Sequence, residues 1–145
     1  VGAADGFGWL YYADLRPGAA GHRVSAERVD DGTAKERVKV WALDTLATWE
    51  PGPWYVKVDV DGGELDVLAG APSLLRHAGF RGLCIELRLD LEATAIGILE
   101  AAGLYCTERY GPRGNVVFTI WRRQQPGVPV VPPTTIALSS GFSSA

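Results

Sequence analysis

The stretch Trp54–Leu68, WYVKVDVDGGELDVL, constrains the fold more than any other part of the chain. Val56, Val58 and Val60 alternate with Lys57, Asp59 and Asp61, and because side chains alternate along a strand this spacing predicts one. Gly62-Gly63 permits the tight reversal that β-branched residues resist, and Glu64 opens a helical spacing in which Leu65 and Leu68 share a face. Asp59, Asp61 and Glu64 therefore converge where a strand ends and a helix begins. In open α/β sheets ligands sit in the crevice outside the carboxyl ends of the strands, so a site is expected here. The plainer alternative is that each acid caps free N–H groups or faces water. A strand between two helical layers should be apolar on both faces, so Lys57, Asp59 and Asp61 together mean either a site or an edge strand with one face in water.

One domain with a substantial core is expected from 145 residues, 47% of them hydrophobic. The net charge of -3 supplies no basic footprint, so nucleic acid is not an expected partner. Nor is a membrane, since no apolar run approaches the roughly 18 residues that span a bilayer and no signal peptide opens the chain. A cytoplasmic chain is the expectation. Cys84 and Cys106 lack CxxC spacing and are read as buried free thiols rather than a metal knuckle or disulfide. The sequence holds no methionine and begins VGAADG, from which a preceding N-terminal portion is expected.

Gly8–Ala13 reads as a strand. Val24–Val29 and Arg37–Leu43 flank the turn Asp30-Asp31-Gly32-Thr33 and predict a hairpin, after which Asp44 is expected to cap a short helix, Thr45–Trp49. His22 is expected in a loop, and His77 in the last turn of a helix that begins at Pro72. Gly82–Arg88 is a further strand, apolar until Glu86, whose carboxylate either pairs with Arg81 or Arg88 or joins the Asp59 crevice. Asp90 is expected to cap a helix striped by Leu91, Ala95, Leu99 and Ala102. Leu104–Tyr110 and Val116–Arg122, joined by residues 111–115, predict an antiparallel hairpin. The resulting expectation is an α/β fold with a mostly parallel sheet built through right-handed crossovers and closed by one antiparallel hairpin strand. The uncharged, proline-bearing stretch 124–145 is read as a disordered tail following a domain that spans 1–123. Its apolar residues offer the alternative of docking on a partner.

These elements carry a set of spaced motifs: Asp44 in WALDTL, KVDVDGGE at Lys57–Glu64, VLAGA at Val67–Ala71, IEL around Glu86 and AAGLY at Ala101–Tyr105. In this order they resemble the FkbM family of S-adenosylmethionine-dependent methyltransferases, which shows an LD before its central strand, then K-x-D-x-E-G-x-E, VL-x-G-A and an IE strand. The resemblance spans Val1 to Arg123, with Gly2–Gly6 similar to the family's segment after its third strand. Asp61 stands where the family more often has glutamate. The family's glycine-rich loop and ribose-binding acid would both lie before Val1.

The resemblance implies the C-terminal portion of a Rossmann-like class I methyltransferase, with S-adenosyl-L-methionine as cofactor and a hydroxyl of a sugar or natural product as methyl acceptor. It implies that Asp59 and Asp61 act as base or hydroxyl ligands, that Lys57 tunes their charge, and that Glu64 and Glu86 complete the site, with Asp5 near the cofactor's adenine. A divalent metal held by Asp59 and Asp61 is the alternative, and without a histidine at hand magnesium would be favoured over zinc. Without the upstream motifs the 145-residue chain alone is expected to be inactive. The competing reading is a non-catalytic fragment or degenerate paralogue that acts as a binding or pairing module. Without the family's first three strands the Trp54–Val60 strand would be an exposed edge, open to pairing with another chain.

Overall fold

The computed structural model describes residues 1–16, 21–124, 127, 129 and 131–136. Two sheets form. In the first, strand β1 (Gly6–Tyr11) lies between β2 (Arg23–Ser25) and β3 (Lys35–Val40), antiparallel to both. The hairpin expected between residues 24–29 and 37–43 is therefore corrected, because β2 and β3 pair with β1 and not with each other. Two contacts account for this. A Cβ on Gly8 would lie 2.8 Å from the Val24 side chain, so the absent side chain is what lets β2 close on β1. Tyr11 is 2% exposed, and its hydroxyl donates to the Glu27 carbonyl at 3.0 Å and accepts from the Val29 N–H at 2.5 Å, which holds the β2–β3 connection against β1.

The second sheet has the order β4-β5-β7-β6-β8, from β4 (Trp54–Val58), β5 (Phe80–Arg88), β6 (Leu104–Arg113), β7 (Val116–Arg123) and β8 (Thr134–Ile136). β4 and β5 are parallel, as are β6 and β8, whereas β7 is antiparallel to both its neighbours. The expected mostly parallel, Rossmann-like sheet is thus contradicted. Among the described residues the fold is mostly β, with 39% strand against 23% helix, and combines an antiparallel three-stranded sheet with a mixed five-stranded one. The reason lies in β7. It follows β6 through the two residues Gly114-Asn115, a turn that permits only antiparallel return, and it then inserts between β5 and β6, so one hairpin contributes two antiparallel ladders. That connection is also shorter than the one expected over 111–115. β8 lies within the stretch 124–145 that was expected to be disordered, and pairs with β6 there; residues 125, 126, 128, 130 and 137–145 of that stretch lie outside the described residues.

Helices α1 (Leu43–Ala47), α2 (Glu64–Ala69), α3 (Pro72–Arg76) and α4 (Leu89–Ala101) complete the fold. Leu83, Ile85 and Leu87 of β5 point with Val58, Val117 and Trp121 into a core shared with Val67, Leu68, Leu74, Leu75, Ala95 and Leu99 of α2–α4. The alternate positions Tyr55, Lys57, Cys84 and Glu86 fall on the opposite face and are only half-buried or exposed. This explains the mixed polarity of β4: it is the edge strand of its sheet, and one face has no helix over it. Cys84 and Cys106 are both free thiols, half-buried, and burial pushes each upward in pKa.

Two expected caps are redistributed. Asp44 sits in the first turn of α1, where Ala42 is the N-cap, and its carboxylate instead accepts from the N–H groups of Ser73 and Leu74 at 2.9 and 2.7 Å, capping α3. Asp90 lies inside α4, whose N-cap is Arg88, and the two side chains pair at 2.7 Å. His77, expected in the last turn of this helix, lies just past it as the extended C-cap of α3, its Nδ1 accepting from Gly79 N–H at 2.9 Å and its ring edge-on to Trp54. Among the described residues no helix is long and apolar enough to cross a membrane.

Candidate functional site

The carboxyl ends of the parallel pair β4–β5 open into a crevice of about 240 Å³, lined by Asp59, Val60, Asp61, Gly62, Glu64, Glu86, Arg88 and Val116. Four of the carboxylates expected from sequence therefore meet in one place. The backbone arranges them: β4 stops at Val58, so Asp59 and Asp61 lie on the connection and not on the strand as expected, and Gly62 then turns with φ +92, a conformation that side chains with a Cβ resist. Glu64 starts α2 directly after this turn, and β5 delivers Glu86 beside it.

Each acid has a distinct environment. Asp59 receives Lys57 Nζ at 2.5 Å across an exposed ion pair. Asp61 accepts from the Gly21 N–H at 2.7 Å, so a residue 40 positions earlier reaches the rim. Glu64 is 4% exposed; its Oε1 accepts from Gly62 N–H at 3.0 Å, while its buried Oε2 has no hydrogen-bond partner among the described residues. Glu86 forms no ion pair with Arg81 or Arg88 among the described residues. Burial, and after it the neighbouring charges of Asp59, Asp61 and Glu64, raise its proton affinity above that of an ordinary glutamate, with Lys57 opposing.

Lys57 lies outside the lining, and its hydrogen-bonded ion pair with Asp59 raises the pKa of the lysine above its ordinary value. It reaches Glu86 by charge alone. Arg88, expected only as a possible partner for Glu86, is the charged lining residue not named among the site candidates; its position two residues beyond Glu86 on β5 was the available signal, since both fall on one face. Asp5 is not brought to the crevice. Its carboxylate accepts from Ala42 N–H and the Thr45 hydroxyl, each at 2.8 Å, which ties the segment before β1 to the start of α1 and lowers its pKa.

Asp5, with both oxygens accepting hydrogen bonds inside the fold, does not open onto the crevice. Nor are Asp59 and Asp61 part of any group of three or more His, Cys, Asp or Glu arranged to hold a metal ion among the described residues.

A second cavity, of about 470 Å³, lies between α4 and the β6–β7 hairpin and is edged by Val131, Pro132 and Pro133. Its lining is mainly apolar, with Ile96, Tyr105, Cys106 and Trp121. Several of its polar groups are matched to one another: Arg109 Nε and Nη2 donate to the two Glu92 oxygens at 2.7 and 3.0 Å, and Trp121 Nε1 donates to Thr119 Oγ1 at 2.9 Å. No protein-family model matches the chain, and neither a curated protein nor a solved structure matches it at a significant level.

Proposed function

We propose that the acidic crevice is the acceptor side of an S-adenosylmethionine-dependent O-methyltransferase, receiving a hydroxyl-bearing sugar or natural product. The observation that carries this reading is Glu86, a half-buried carboxylate whose affinity for a proton is raised beside three other acids at the ends of two parallel strands. A carboxylate of raised proton affinity is suited to withdrawing a proton from a hydroxyl near neutral pH. Glu86 is then the base, Asp59 and Asp61 orient the hydroxyl and its neighbours as hydrogen-bond acceptors, and Lys57 moderates the accumulated negative charge. The spaced motifs from Asp44 to Tyr105 support the reaction class by resemblance.

The test is transfer of labelled methyl to a panel of hydroxylated acceptors by the protein as its gene encodes it. Glu86→Gln should lower turnover by about 10²–10⁴-fold, the range for loss of a general base. Equal rates in the two proteins would return Glu86 to an ordinary strand carboxylate. A non-catalytic pairing role is favoured by a different observation: β4 is a sheet edge on which Tyr55 is 71% exposed, a surface open to strand addition. Concentration-dependent dimerisation without any methyl transfer would support that role.

A further inference from the structure

We infer that the crevice takes its ligand through a protonated primary amine, which makes the acceptor class an amino-bearing polyol; this rests on the acceptor-site reading above. The starting point is Glu64 Oε2, a carboxylate oxygen on a 96%-buried residue that lines the crevice and has no hydrogen-bond donor among the described residues. A buried acceptor without a donor is costly, so a ligand that supplies one is strongly favoured.

The charge around that oxygen decides which donor. Four carboxylates line the space against one cation, Arg88, and Arg88 already directs Nε and Nη2 to Asp90 at 3.0 and 2.7 Å. Lys57 is likewise committed to Asp59. A hydroxyl would give Glu64 a hydrogen but leave the excess negative charge uncompensated. An ammonium group supplies three donors and a positive charge together, and hydrogen bonds to an ionised partner are about twice as strong as neutral ones. A bare divalent ion offers the charge, but no three acids among the described residues are arranged as a coordination set, and the space exceeds what one ion requires. The size instead admits a small organic molecule whose hydroxyls reach Asp59 and Glu86.

The experiment is calorimetric titration of the protein at low salt with glucosamine, glucose, N-acetylglucosamine and magnesium chloride in turn. Glucosamine should bind at least about 10-fold more tightly than either neutral sugar, the discrimination one charge-assisted bond confers. Glu64→Gln should erase that ratio. Should Glu64→Gln not fold, Glu86→Gln, which removes a second acid from the same space, should reduce it. Equal affinity for all three sugars would overturn the amine inference and leave the hydroxyl-acceptor reading standing. Binding of magnesium but not glucosamine, or of no probe at all, would overturn the inference as well. Failure of the acceptor-site reading itself appears separately, as unchanged methyl transfer in Glu86→Gln.

Discussion

Glu64 and Glu92 are both buried or nearly so, both line a cavity, and both lie in the first turn of a helix, yet one is satisfied and the other is not. Glu92 is held by two Arg109 nitrogens, with side-chain exposures of 16% and 26% for the pair, beneath an apolar cavity wall. Glu64 has one oxygen on a backbone N–H and the other without a partner among the described residues, in a space shared with three further acids. The first arrangement joins α4 to β6 and contributes to stability. The second leaves binding capacity unused, and a group whose partner is absent from the protein is where a ligand is to be sought.

The comparison breaks most visibly through Arg109. Arg109→Met should leave Glu92 without its donors and lower stability by about 1–3 kcal/mol, read as a shifted urea midpoint with an unchanged slope. A loss below about 0.5 kcal/mol would place the pair with ordinary surface ion pairs. Glu64→Gln, at a more deeply buried position, should change stability by less, within about 1 kcal/mol, because one of its oxygens contributes no hydrogen bond to lose. If Glu64→Gln proved the more damaging of the two, the contrast drawn between them would be wrong.

The smallest effect concerns Glu86 and depends on pH. Its folded-state pKa lies above the unfolded value, so its contribution to stability is fully present below the unfolded value and declines as pH rises through the folded one. Glu86→Gln lacks that penalty. The variant should therefore melt slightly higher than wild type at neutral pH, with the advantage shrinking as pH falls toward the range of an ordinary glutamate. An advantage that grew on acidification would reverse the assignment.

Much of this site was legible because it depends on local rules. Alternation in VKVDVDGG, the glycine turn and the apolar spacing after Glu64 together placed Asp59, Asp61 and Glu64 at a strand-to-helix junction, and the break in the apolar run of β5 marked Glu86. What escaped were relations between distant segments. The insertion of β7 between β5 and β6 is a choice among neighbours that strand propensity does not encode, and it overturned the expected parallel sheet. Asp44 looked like a cap for the helix it opens, but its carboxylate serves Ser73 and Leu74, about 30 residues on. The placement of β1 between β2 and β3 depended on the missing side chain of Gly8, which reads in sequence as mere permissiveness. Arg88 was considered as a partner for Glu86, and its nearer neighbour Asp90 claimed it.

The link from Gly21 N–H to Asp61 Oδ2 gives the crevice an indicator outside itself. An amide proton held by a carboxylate at 2.7 Å is shifted downfield and slowed in exchange relative to a free one, and a ligand drawing on Asp61 competes for the same oxygen. Occupancy of the acidic space should then be readable at a residue that lines none of it, as a single amide resonance moving while the core stays still.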